Sequence, residues 1–155
     1  MTPKIQQIPR PARLTPTCRR LIADAEAAGF VHLGWLKVQM IFGRIVVAAF
    51  VLPDGEIMLA LNGLADEPTF KPLAVDLVSQ FARRQRLTTT TYHLAITQPH
   101  RGIYKFSYPD AKVPELLSKH RKHMTRIKAN VTRRVRTLGD FQQAVQKFVE
   151  HEMPG

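Results

Sequence analysis

The chain is short of cysteine, of acid and of long apolar runs, and each shortage removes a class of protein. With one cysteine, Cys18, in 155 residues, no intramolecular disulfide can form and no cysteine-based structural zinc site can be built, which fits a reducing, cytoplasmic setting. The most apolar window, Met40 to Leu52, is interrupted by Gly43 and Arg44 and is shorter than the ~20 residues a spanning helix requires. A buried β-hairpin is the expected structure there, and no transmembrane segment is expected. The N-terminus lacks a signal peptide's apolar block, because prolines at 3, 9, 11 and 16 interrupt it. Glycine-rich phosphate loops and His-Glu-x-x-His spacings are missing too; Asp54-Gly55 and Asn62-Gly63 read as turn glycines.

Acids number 12 against 23 lysines and arginines, for a formal net charge of +11. The few carboxylates look structural: Asp54 and Asp110 in turns, Asp66 and Glu67 in a loop, Asp140 at a helix start. None is spaced with another for acid/base work. The composition therefore leans away from an enzyme, and no metal or cofactor is expected. Attraction to phosphate-rich surfaces or acidic proteins is the implication of the charge.

That charge is clustered. Residues 112 to 136 hold nine lysines and arginines against the single Glu115. Within Val113 to Leu138, Leu117, Met124, Ile127, Val131, Val135 and Leu138 recur at helical spacing, which predicts one long amphipathic helix. Its opposite face would carry Lys119, Lys122, Arg126, Arg133 and Arg136, with Arg121 and Lys128 on the shoulder. Lys119, Lys122, Arg126, Lys128, Arg133 and Arg136 are the candidate anion-binding residues. Ser118, Thr125, Asn130 and Thr132 between them could add donors for phosphate.

Upstream, residues 1 to 14 read as an irregular basic arm, and 15 to 153 as one domain. Thr15 caps a helix from Pro16 to Ala28 that Gly29 ends. From Trp35 on, strands alternate with turns. WLKVQMIF has one wet face bearing Lys37 and Gln39, whereas IVVAAFVL should be buried on both faces. Asn62-Gly63 turns the chain, and residues 65 to 72 are expected to form a loop. Two strands, about 73 to 82 and 87 to 96, follow around the turn Arg83-Arg84-Gln85-Arg86. Thr88 to Thr91 suggest a solvated or edge strand, and after a turn at 98 to 102, IYKFSY forms the last one. Gly139 should close the long helix, with Asp140 capping a final helix and Gln143 as its capping-box partner. The last residues, HEMPG, should fray.

AVDLVSQFARRQRLTTTTY together with VPELLSKHRKH, over roughly residues 73 to 124, resembles a domain of uncharacterised bacterial proteins. In it a strand ending in Ser-x-Phe passes through a tight turn to a Leu-x-Thr-Thr strand, and a Leu-Leu-x-x-His-Arg helix follows. The turn usually holds a glycine that this chain lacks. The resemblance implies the antiparallel pairing of 73 to 96 and no activity.

Two reactive readings compete with plainer ones. Cys18 near a helix N-terminus, beside Arg19 and Arg20, would have a lowered thiol pKa if exposed; a half-buried packing thiol is the alternative. His120 and His123 could share a metal only if a carboxylate joined them. Placement of His120 at the core boundary and of His123 in the basic face is the simpler expectation. His93 and His100 lie on the sheet side.

The fold class predicted is α+β: an N-terminal helix, a five- or six-stranded antiparallel sheet, a long C-terminal helix packed on it, and a short final helix. The function predicted is a non-catalytic binding module that presents a basic helix to nucleic acid backbone or an acidic protein surface. The alternatives are a pocket protein holding a small apolar ligand in a sheet curled round a helix, and peripheral membrane association. Tyr92, Tyr104, Phe106 and Tyr108 could stack on single-stranded nucleic acid. A homo-oligomer is compatible with the sequence.

Overall fold

The structure, a computed structural model, describes residues 4–40, 43–66, 68–93, 102–127, 130–131 and 133–152. In chain order these form β1 (Lys4–Ile8), β2 (Arg13–Leu14), α1 (Pro16–Ala27), β3 (Val31–Met40), β4 (Gly43–Val51), β5 (Met58–Asp66), β6 (Thr69–Gln80), a 3-10 turn (Ala82–Arg84), β7 (Arg86–Thr90), β8 (Ile103–Ser107), α2 (Val113–Arg126) and α3 (Leu138–Glu152). The strands make one eight-stranded sheet in the order β1-β3-β4-β5-β6-β7-β8, with β2 beside the start of β6.

The expected architecture is overturned. Two strands precede the first helix, the sheet has eight strands rather than five or six, and it is mixed, because β2 joins β6 and β7 joins β8 in parallel. The arm expected to be irregular supplies β1, whose Lys4 to Ile8 pair with Gln39 to Trp35 of β3. Pro9 directly follows the strand and does not interrupt the ladder. For β8, the stretch between Thr90 and Ile103 is long enough to carry the chain back to the start of β7, so that Leu87 pairs with Tyr104. The expected strand residues 94 to 96, the turn residues 98 to 101 with His100, and residues 153 to 155 lie outside the described residues.

Asn62-Gly63 is no turn. β5 runs through it to Asp66, and the register shifts there because Leu73 is an extra residue on β6. Leu73 is accordingly exposed. Glycine is required at 63 because a Cβ would collide with the Lys71 carbonyl oxygen and the Phe70 ring. Residues 65 to 72, expected to loop, thus belong largely to paired strands.

Each face of the sheet has its own core. On one, α1 and α2 bury Cys18, Ala25, Val113 and Leu116 against Trp35, Val46, Phe50, Leu61 and Leu77. On the other, Val135, Phe141, Ala144 and Val149 cover Leu36, Val38, Val47, Val51 and Met58. Burial of β4 on both faces follows, and Ala48 and Ala49 are fully enclosed.

The predicted long helix breaks to make this possible. α2 ends at Arg126; Val131 bridges to Phe81, and the Val135 N–H donates to the Gly55 carbonyl at 2.9 Å as the chain crosses to the second face. Continuing α2 would gain at most a few tenths of a kcal/mol per residue in helix propensity. Covering the second face buries several large side chains at roughly 1.5–3 kcal/mol each, so the break wins. Gly139 then lies inside α3 instead of ending a helix. The capping pair is also shifted: Thr137 Oγ1 accepts from the Asp140 N–H at 3.1 Å, while Asp140 Oδ2 accepts from the Thr137 N–H at 3.2 Å. α1 starts as its sequence requires, with Thr15 Oγ1 accepting from the Cys18 N–H at 3.1 Å.

A candidate nucleic-acid interface between α2 and the edge strand

β8 is an edge strand. Its period of two sends Tyr104 and Phe106 to the face that carries α2, since their partners Leu87 and Thr89 face that core. α2 lays a row of side chains beside them. The His123 ring stacks on Phe106 with centroids 3.6 Å apart and planes 5° from parallel. Tyr108 Oη lies 2.7 Å from His123 Nε2, and Lys119 Nζ is 5.5 Å from the Tyr108 ring centre. Partial burial, then Arg126 and Lys119, hold the His123 pKa below its usual value, so near neutral pH the ring is uncharged and Tyr108 donates to it. Gln85, Tyr104, Phe106, His123, Arg126 and Ile127 border a cleft of about 350 Å³.

The six predicted anion-binding residues divide. Lys119, over the Tyr108 ring, and Arg126, at the cleft, lie on the flank of α2 that turns toward β8, whereas Lys122 borders the outer surface of the helix with Ser118, Arg121 and Thr125. Arg133 and Arg136 are exposed on the extended crossing beyond the helix end. Lys128 lies outside the described residues. One uninterrupted basic ridge over 119 to 136 is therefore replaced by a shorter row on α2. The ion pair of Arg134 with Glu56 at 3.4 Å lies off α2, and among the described residues Lys119, Lys122 and Arg126 have no carboxylate within pairing distance. The aromatic side of the cleft was legible as the alternation Tyr104, Phe106, Tyr108; the stacking of His123 on it was not.

A second histidine one turn earlier does something different. His120 is fully buried, with Nε2 at 2.8 Å from Ser79 Oγ and Nδ1 at 2.8 Å from Thr89 Oγ1. Ser79 donates its own proton to the Glu56 carbonyl at 2.8 Å, so Nε2 carries the ring proton and Nδ1 accepts from Thr89. The serine proton is thus committed away from the imidazole. With no carboxylate behind the ring and no exposure of Ser79, the group is a structural pin joining β6, β7 and α2, and not an activated nucleophile. It also explains β7: Thr88, Thr89 and Thr90 are buried between β6 and β8, where solvated hydroxyls had been expected. Thr89 serves His120, and Thr90 Oγ1 accepts from the Tyr92 N–H.

The two reactive readings end similarly. Cys18 is fully buried, and desolvation pushes its pKa up to about 11 despite Arg10 and Arg19. Among the described residues no three of His, Cys, Asp and Glu come close enough to hold a metal. Nor is any described helix long and apolar enough to cross a membrane. Helices pack on both faces of the sheet. No family model, curated protein or solved structure matches the chain.

Proposed function

We propose that the protein is a non-catalytic binding module for an anionic partner, and that the partner is single-stranded nucleic acid lying along the groove between α2 and β8. Lys119 and Arg126, with Lys122 on the adjoining outer surface of α2, receive the phosphates, and Tyr104 with the His123–Phe106 stack offers ring surface to a base. The observation that supports this reading is the adjacency, on one flank, of Lys119 and Arg126, which have no carboxylate partner among the described residues, to the partly exposed rings of Tyr104, Phe106 and His123. An acidic protein would use the cations and leave the aromatic cleft without a role.

The test is binding of a labelled single-stranded oligonucleotide as a function of salt. Three phosphate contacts predict a slope of log affinity against log salt of about −2. Lys122→Glu with Arg126→Glu should abolish binding, and Tyr104→Ala should weaken it by roughly 1–3 kcal/mol. Salt-independent binding, or binding indifferent to these substitutions, rejects the proposal.

A further inference from the structure

The other end of the same sheet face carries a second cationic cleft that this groove does not use. Beyond the cover of α1, β3 and β4 continue with Lys37 and Arg44, and the segment between β1 and β2 brings Arg10 beside them. Together with Ile8, Val46 and Phe70 these three border a cleft of about 280 Å³. Among the described residues lining it there is no carboxylate. Arg44 donates through Nε to Gln39 Oε1 at 2.9 Å, which fixes the guanidinium and leaves its terminal N–H groups for another acceptor. Phe70 is buried, and Trp35 packs edge-on against it with centroids 5.3 Å apart.

Cations around an apolar floor define an amphipathic anion by complementarity. The apolar floor gains nothing from inorganic phosphate, and the three positive groups gain nothing from a neutral hydrocarbon. The volume corresponds to roughly nine water-sized groups, the size of a short organic acid. We infer that this cleft binds a small organic anion, a carboxylate or phosphate head held by Arg10, Lys37 and Arg44 with an apolar body against Val46 and Phe70. The wet face of β3 thereby acquires a purpose: Lys37 is placed where strand alternation allows a charge above an otherwise apolar surface.

Trp35 is the only tryptophan of the chain, so its emission reports on Phe70 and the cleft. The experiment titrates the full chain with octanoate, octanol and inorganic phosphate. Octanoate should change the emission saturably, with octanol and inorganic phosphate each at least about tenfold weaker, the worth of one charge-assisted contact or of the buried apolar body. Lys37→Met and Arg44→Met should each lower octanoate affinity about tenfold, without moving the urea midpoint, because both side chains are at least partly exposed. Equal binding of octanoate and octanol, equal binding of octanoate and phosphate, or no saturable change overturns the inference. The outcome is separable from that of the groove, since Lys122→Glu with Arg126→Glu should leave the octanoate titration unchanged.

Discussion

Ser79 and His120, far apart in sequence, meet at 2.8 Å in the interior and tie β6 to α2. The serine proton goes to Glu56, so Nε2–H donates to Ser79 while the buried Nδ1 accepts from Thr89; protonating Nδ1 would put an uncompensated charge in the interior, and this makes the fold sensitive to acid. Burial lowers the His120 pKa from 6.5 to about 3, with His123 and Arg121 acting in the same direction. Between those values the unfolded chain holds a proton that the folded chain refuses. Stability from this group is therefore complete above about pH 6.5 and drains as the pH falls toward about 3, by on the order of 5 kcal/mol over the whole window. Urea midpoints measured between neutral pH and about pH 4 should fall accordingly. In His120→Leu, less stable at neutral pH, the fall should be shallower; an unchanged acid dependence would refute the assignment.

Ser79→Ala should cost roughly 1–3 kcal/mol, because it leaves the His120 Nε2–H and the Glu56 carbonyl without their buried partner. Equilibrium denaturation gives the value. A cost within experimental error would mean that the pin carries no energy.

Arg84 has a φ of +61° in the turn between β6 and β7. A side chain costs about 1–2 kcal/mol in that left-handed conformation, against about 0.5–1 kcal/mol of extra chain entropy lost by glycine. Arg84→Gly should therefore raise stability by a few tenths to about 1 kcal/mol, read as a higher thermal midpoint. Destabilisation would show that the guanidinium, and not the backbone, matters at this position.

Gly55 takes the opposite substitution badly. Its φ is +77°, and a Cβ would stand 2.9 Å from the Val135 carbonyl oxygen of the crossing segment. Gly55→Ala should cost about 2 kcal/mol or more and loosen α3, with faster amide exchange at Val135 as the local signature. If Gly55→Ala is neutral, the crossing is not docked on this turn.

Cys18 should react slowly in the native state. A thiol with its pKa pushed up to about 11 and no exposed surface presents almost no thiolate at neutral pH. Alkylation by iodoacetamide should accelerate by orders of magnitude in denaturant, following the population of open chain. Rapid labelling without denaturant would contradict the burial of α1.

Local chemistry in the sequence sufficed wherever a short segment answers to its own neighbours. Thr15-Pro16 starts α1, the unbroken apolar run of β4 announces cover on both faces, and the basic row Lys119, Lys122, Arg126 is visible from spacing alone. The tertiary structure decided what two segments settle between them. Periodicity carried the helix on through Val131 and Val135, but whether those valines continue α2 or cross the sheet depends on an uncovered apolar face formed by residues from β3 to β5. The same holds for Tyr104 and Phe106, which become a cleft only because β8 returns parallel to β7 beside His123, and for Lys37 and Arg44, joined by Arg10 from an arm that pairs as an edge strand. Helix propensity is worth tenths of a kcal/mol per residue and the burial of a sheet face many times that, so the larger, nonlocal quantity chose the ending of the helix and the shape of both clefts.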